Sequence, residues 1–192
     1  MIEECKCDMM RKYEMTDLGL LHHFLGICVI QQEGSIFIHQ KKYALSLINK
    51  FGLKNCKSII IPLPLTDKLI KDDGSEAIDE ELYKRIVGSL LYLTGTRHDI
   101  MYLACVLARY MHCPSTKQRG TTKRILRYVQ GTVDYGIKYE KGNATLLIGF
   151  YDNEWSGDED DMKSISGYAF SFNNGAFSWA SIKQQSVALS TA

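Results

Sequence analysis

The sequence lacks several features that would place it in a familiar class. No apolar run approaches the roughly 18 residues of a membrane-spanning helix, and the first ten residues are too charged for a signal peptide. The six cysteines contain no CxxC pair, which argues against a zinc or disulfide framework. Neither a GxSxG elbow nor a glycine-rich phosphate-binding loop occurs. We therefore expect a soluble intracellular protein with reduced thiols, in the cytoplasm or nucleus and without contact to a membrane.

The chain also lacks an excess of charge of one sign. It has 23 lysines and arginines against 22 acidic residues, so no global field attracts nucleic acid. The local distribution is uneven, since residues 109–127 include basic residues without an intervening acid. Four of these occupy mainly one side of a predicted helix: Lys117, Lys123, Arg124 and Arg127. This basic stripe, with Tyr128 near enough to add a stacking surface, suits a phosphate backbone, and an ordinary solvated helix face is an equally good interpretation.

The chain has only three prolines, and they mark boundaries. Pro62 and Pro64 exclude a central strand or helix, and a polar loop follows at 72–75, so residues 56–79 are predicted to be a linker. Pro114 closes a predicted helix. The scarcity of proline elsewhere leaves long stretches free to form regular structure.

The hydrophobic pattern predicts an α+β protein. Before the linker we expect a β-hairpin over 24–40 and a helix over 41–51. After it, three helices are predicted over 80–94, 99–112 and 115–131, the third with Ser115 as its N-cap. Beyond Gly131 the period changes to two, and four strands are predicted over 135–140, 145–152, 165–172 and 176–182. The turn Asn173-Asn174-Gly175 should join the last two strands.

One predicted strand ends in a carboxylate, Asp152. Glu154 follows two residues later and lies on the same side of an extended strand. Mg²⁺ prefers oxygen ligands of this kind, but two-metal cleavage of phosphodiesters needs several carboxylates around ions roughly 3.5–4 Å apart. Spacing alone therefore favours a simpler interpretation, in which Asp152 starts a turn and Glu154 is a solvated charge.

Five segments form a recognisable set in a fixed order and spacing. They are MTDLGLLHHFLGI (15–27), IHQKKYALSLINKFGL (38–53), YKRIVGSLLYLTGTRHDIMYLACVLARYMHCP (83–114), KRILRYVQGTVDYGIKY (123–139) and residues 147–192. Together they resemble the Pol polyprotein of copia-type LTR retrotransposons, from just after the reverse transcriptase palm into the ribonuclease H domain. The resemblance covers the chain from about residue 13 onward.

The resemblance implies a division of the chain. Residues 1–55 would be the end of the palm and a thumb-like helix, 56–79 the linker, 80–134 a helical connection, and 135–192 the first antiparallel strands of a truncated ribonuclease H-like fold. The segment Phe24-Leu25-Gly26 matches the region around the primer grip. These assignments predict contact with an RNA–DNA hybrid or with DNA.

The resemblance also assigns Asp152 to the first of the acids with which the family's ribonuclease H binds two Mg²⁺ ions and cleaves RNA. Glu154 stands where the family usually has aspartate, and we count it as a weak metal ligand. The family's next catalytic glutamate is expected directly after Ser190-Thr191-Ala192, and the polymerase aspartates before residue 1. With so few acids the chain should hold Mg²⁺ only weakly.

Three hypotheses follow. The first is a remnant of a retrotransposon Pol without catalysis of its own, and the second is a retained nucleic-acid-binding or interaction module. The third is an incomplete gene model of an active reverse transcriptase and ribonuclease H polyprotein. A truncated ribonuclease H sheet should leave its hydrophobic face without the covering helix, which exposes Phe170, Phe172, Phe177 and Trp179.

Overall fold

The predicted helices form where the apolar residues repeat with a helical period. The computed structural model describes residues 2–63, 69–142, 146–154 and 160–187, the side chain of Glu154 excepted. Within these ranges the helices are α1 (Ile2–Lys12), α2 (Lys41–Lys50), α3 (Glu80–Leu93), α4 (Met101–Ala108) and α5 (Thr116–Gly131). A 3₁₀ turn at His98–Ile100 precedes α4. In the described part of the chain, no helix combines the length and apolar character needed to cross a membrane.

The strands pair into two antiparallel sheets. The first sheet has the order β1 (His23–Phe24), β2 (Ile27–Gln32), β3 (Ser35–His39), β4 (Gly136–Glu140). The second has the order β5 (Leu147–Glu154), β6 (Ile165–Phe172), β7 (Gly175–Lys183). The predicted α+β class with antiparallel strands is confirmed. The hairpin between β6 and β7 turns at Asn173, whose φ of 53° lies in the left-handed region that asparagine tolerates.

Two predicted elements differ from the structure. The helix expected over 99–112 begins with a 3₁₀ turn and ends at Ala108, because Arg97 holds the Asp99 carboxylate at its start and the residues before Pro114 leave the helical conformation. Asp152 does not start a turn, because it lies within β5 and pairs with Gly167 of β6. The carboxylate therefore projects from a strand.

The core lies among the helices. Leu90 of α3, Leu107 of α4 and Leu126 of α5 are each fully buried. Tyr83 is also fully buried, and its hydroxyl donates to the carbonyl of Leu107 over 3.0 Å. Burial raises the pKa of Tyr83, so the hydroxyl stays a neutral donor that joins α3 to α4.

The segment between α2 and α3 lies along α5. The Tyr110 hydroxyl donates to the carbonyl of Leu69 over 2.7 Å, and Gln118 Nε2 of α5 donates to the carbonyl of Ile70 over 3.0 Å. Ile59 donates its backbone N–H to the carbonyl of Arg127 over 3.4 Å. These contacts hold both described ends of the predicted linker against the helical core.

The second sheet packs on the helices through β7. Trp179 Nε1 donates to the buried Thr94 carbonyl over 3.2 Å, and the Trp179 and His98 rings lie 5.7 Å apart. Trp179 is half-buried, so the expectation that it would be uncovered is wrong. Its face of the sheet is the one that meets α4. Phe172 and Phe177 stack on each other at 4.3 Å and remain 44% and 42% exposed.

Candidate nucleic-acid interface

The α5 helix starts at a capping box that the sequence encodes locally. Gln118 donates its backbone N–H to Ser115 Oγ over 3.3 Å, and Ser115 donates its N–H to Gln118 Oε1 over 2.9 Å. Ile125, Leu126 and Val129 then bury one face of the helix. With that face buried, the basic residues of the helix are directed outward.

The structure places the predicted basic residues on the outer side of α5. Lys117 and Lys123 are exposed, and Arg124 and Arg127 are half-buried. Lys117 differs from the other three because the carboxylate of Asp73 lies close enough for their charges to interact. The other three extend toward the C-terminal end of the helix.

Two lysines that sequence reasoning missed join this surface. Arg127 Nε donates to the Lys57 carbonyl over 2.7 Å, and Gln130 Nε2 donates to the Lys54 carbonyl over 2.9 Å. Both lysine side chains are exposed. We define the basic surface by its five cations: Lys54, Lys57, Lys123, Arg124 and Arg127. Within the described ranges, none of these five forms an ion pair with a carboxylate.

Tyr128, for which the sequence suggested a stacking role, is half-buried and bonded to other groups of the protein. Its hydroxyl donates to Asp99 Oδ2 over 2.8 Å, and the Arg97 guanidinium lies 5.6 Å from its ring centre. Burial and the neighbouring Asp99 carboxylate raise the pKa of Tyr128. These contacts fix the orientation of the ring beside the basic surface.

The Phe24-Leu25-Gly26 segment forms the tight turn between β1 and β2. Leu25 and Gly26 both have positive φ, 45° and 75°, as a two-residue hairpin turn of this hand requires. The Tyr92 hydroxyl of α3 donates to the Leu25 carbonyl, and a Cβ on Gly26 would lie 2.5 Å from that hydroxyl. Phe24 and Leu25 remain 57% and 73% exposed, so the turn presents two apolar side chains from a fixed backbone.

Asp152 is exposed and lines a cavity between the second sheet and α4. The cavity has a volume of about 560 Å³. Among its described lining residues Asp152 is the one carboxylate, and the others are mainly aromatic or aliphatic. The Glu154 side chain and residues 155–159 lie outside the described residues.

The two Mg²⁺ ions of the family's ribonuclease H would need several oxygen ligands around Asp152. In the described residues no group of three or more histidines, cysteines, aspartates or glutamates is placed to hold a metal. A single carboxylate with aromatic neighbours does not supply the oxygen ligands of a two-metal site. The described surroundings of Asp152 therefore do not fit that role.

Known proteins match this chain in sequence, and none matches it in structure. A profile of the family "Reverse transcriptase (RNA-dependent DNA polymerase)" matches residues 1–65. The retrovirus-related Pol polyprotein from transposon RE2 of Arabidopsis thaliana is 37% identical over 181 residues, 94% of this chain and 12% of that protein. The Pol polyprotein from transposon TNT 1-94 of Nicotiana tabacum is 34% identical and covers 100% of this chain, which spans 15% of its length. No solved structure gives a significant match.

A shorter relative covers nearly the same region. An uncharacterised mitochondrial protein of Arabidopsis thaliana is 34% identical over 180 residues, which are 93% of this chain and 74% of that protein. The matches to the transposon polyproteins extend over most of the chain, although the chain spans only a small share of their length. The chain belongs to the family of Pol polyproteins of copia-type retrotransposons.

Proposed function

We propose that this chain is a nucleic-acid-binding segment that runs from the end of the polymerase part of a Pol polyprotein into its ribonuclease H part, and that by itself it does not cleave. The observation that carries the proposal is the basic surface. Two chain segments about 70 residues apart bring five cations together there, and the bond from Arg127 to the Lys57 carbonyl joins the segments. A duplex with its regular phosphates is the ligand that such a surface suits.

The division of the chain belongs to the same proposal. We assign 1–55 to the end of the palm with a thumb-like helix, 56–79 to a linker, 80–134 to a connection and 135–192 to the first strands of a ribonuclease H-like domain. The three-stranded antiparallel β5–β6–β7 sheet, with Asp152 on its first strand, supports the last assignment from residue 147 onward, whereas β4 pairs with β3 of the first sheet. The exposed turn at Phe24-Leu25-Gly26 supports a primer-grip-like contact.

The basic surface predicts a strong dependence of affinity on salt. Each phosphate contact lowers the slope of log K against log salt by roughly 0.9 for a B-form DNA duplex. Five contacts would therefore give a slope of about −4 to −5. We expect binding to a labelled RNA–DNA hybrid, followed by fluorescence anisotropy, to weaken steeply between low and physiological salt.

Two variants test which cations are responsible. Lys57→Ala with Lys123→Ala removes two exposed charges without removing a side-chain hydrogen bond between described residues, and should reduce the slope by about 2. Lys12→Ala with Lys141→Ala removes two exposed charges from α1 and from the end of β4, and should leave the slope unchanged. Absent binding, salt-independent binding, or an equal effect of the two pairs would refute the proposal.

Catalysis is tested separately at Asp152. The 192-residue chain should leave the RNA strand of a hybrid intact in Mg²⁺ or Mn²⁺, because the described surroundings of Asp152 offer no second carboxylate. The Asp152→Asn variant is the control for contaminating nuclease. Cleavage by the original chain that disappears in Asp152→Asn would contradict the proposal.

A further inference from the structure

The cavity beside Asp152 has the size and shape of a small-ligand site. Its floor is one face of the β5–β7 sheet, and Met101 and Tyr102 of α4 cover it. Its volume of about 560 Å³ lies within the range of roughly 300–1,000 Å³ that is typical of ligand sites. Four aromatic side chains on this side of the sheet line it: His98, Tyr102, Phe150 and Trp179. We call it the aromatic cavity.

Among the described residues, two polar groups that line the aromatic cavity have no protein hydrogen-bond partner. Asp152 and Ser181 lie on the same face, on either side of Gly167 in the strand register. Ser181 Oγ is buried and has no hydrogen-bond partner among the described residues. Within the same part of the chain, no hydrogen bond or ion pair engages the Asp152 carboxylate. The protein covers Ser181 Oγ, so the accessible polar side chain on this face is the exposed Asp152 carboxylate.

The aromatic walls favour a flat ligand. Trp179 is fixed by the bond from its Nε1 to the Thr94 carbonyl and by the His98 ring 5.7 Å away. Phe150 opposes Ala169 in the sheet, which in turn opposes Trp179, so the two rings share one face. Phe150 is 67% exposed and Tyr102 43% exposed. A planar heterocycle would cover this aromatic surface by stacking.

We propose that the aromatic cavity binds an unpaired guanine base. An ionised carboxylate only accepts hydrogen bonds, and guanine presents two adjacent donors, N1–H and the N2 amino group. Adenine places an acceptor nitrogen beside its amino group, and uracil places carbonyl oxygens on both sides of its N–H. Asp152 therefore accepts both guanine donors while the base stacks on the aromatic walls.

This inference rests on the proposed function for the source of the base, an unpaired nucleotide of a bound strand. Its chemistry can be tested with a free nucleoside, which carries no phosphate for the basic surface to contact. The chain has two tryptophans, so Trp155→Phe leaves Trp179 as the single reporter in the cavity wall. Guanosine, inosine and adenosine are then titrated while tryptophan fluorescence is recorded.

We expect saturable quenching by guanosine and at least tenfold weaker binding of adenosine. Inosine lacks the N2 amino group and should bind with intermediate affinity. Asp152→Asn should weaken guanosine binding at least tenfold, and Ser181→Ala, which removes a covered hydroxyl of the same face, should leave it unchanged. Each variant is first compared with the parent by circular dichroism, and Phe150→Ala provides a second test of the walls if Asp152→Asn does not fold.

The outcomes separate this inference from the proposed function. Absent quenching by guanosine, or equal binding of guanosine and adenosine, overturns the guanine site even if the hybrid still binds with the predicted salt slope. Guanosine binding that needs Asp152, in a chain that does not bind the hybrid, supports the site and refutes the function proposed for the basic surface.

Discussion

Replacing Arg97 by alanine should destabilise the protein by about 3 kcal/mol, at the lower end of the range for breaking a buried ion pair. The Arg97 side chain is only 3% exposed. Its Nε and Nη2 donate to the two carboxylate oxygens of Asp99 over 2.9 and 2.8 Å. Its Nη1 donates to the Thr132 carbonyl over 2.9 Å, which connects the end of α5 to the start of α4.

The magnitude follows from what the alanine variant would leave behind. Removing the guanidinium leaves the Thr132 carbonyl and the Asp99 carboxylate without their charged donor, and a hydrogen bond to a charged group contributes about 1.5–3 kcal/mol. The Tyr128 and Tyr135 rings, 5.6 and 5.3 Å from the guanidinium, lose a cation–π contact of about 0.5–1 kcal/mol each. The Asp99 side chain is 29% exposed, so water recovers part of its loss.

Equilibrium unfolding in urea, followed by far-UV circular dichroism, measures this change. Arg85→Ala is the matched control, because Arg85 is an exposed arginine of α3, and it should change the free energy of unfolding by less than about 0.5 kcal/mol. Arg97→Lys keeps the charge but loses the planar fork, so it should fall between the two. A loss below about 1 kcal/mol for Arg97→Ala would refute the reasoning.

Three further predictions concern charge, capping and backbone conformation. Burial raises the pKa of Asp99, but the hydrogen bonds and charge of Arg97 outweigh burial and leave the pKa below its usual 3.8. The ionised Asp99 therefore stabilises the protein fully above about pH 4 and loses this effect as the pH falls further. The free energy of unfolding in urea should change less between pH 6 and pH 3 for Asp99→Asn than for the parent chain. Ser115→Ala removes the α5 cap and should cost about 1 kcal/mol, seen as a lower melting temperature, whereas Ser115→Asp, which keeps an acceptor, should restore most of it. Gly26→Ala should cost about 1–3 kcal/mol in urea unfolding, since its φ is 75° and a tyrosine hydroxyl occupies the Cβ position; Gly34→Ala, at φ 76° with open space around it, should cost less.

Features encoded within a few residues could be predicted from the sequence. Ser115 and Gln118 are three residues apart, and the capping box that they form starts α5 next to the predicted N-cap. The β6 strand runs over Ile165–Phe172 as its alternation predicts. The Asn173-Asn174-Gly175 turn joins it to β7 in the expected place. In each case the signal and the structure that it determines are local.

Features that depend on distant contacts could not be predicted. The lysine side chains at 54 and 57 join the basic surface only because α5 side chains bond to their carbonyls about 70 residues away. Trp179 is half-buried because the Thr94 carbonyl, 85 residues earlier, accepts its N–H. A strand pattern shows that Trp179 faces one side of a sheet, but it does not show which element covers that side.

Asp152 illustrates how the surroundings of a residue decide its chemistry. A carboxylate that holds Mg²⁺ needs further oxygen ligands nearby, and those ligands are usually other carboxylates, carbonyls or waters. A carboxylate that recognises a base needs flat apolar walls and an unobstructed pair of acceptor oxygens. The described neighbours of Asp152 are of the second kind, with Phe150 and Trp179 on its face of the sheet and Ser181 as the nearby hydroxyl. Because these two roles require different neighbours, nucleoside titrations and hybrid cleavage assays on the same Asp152→Asn variant can tell them apart.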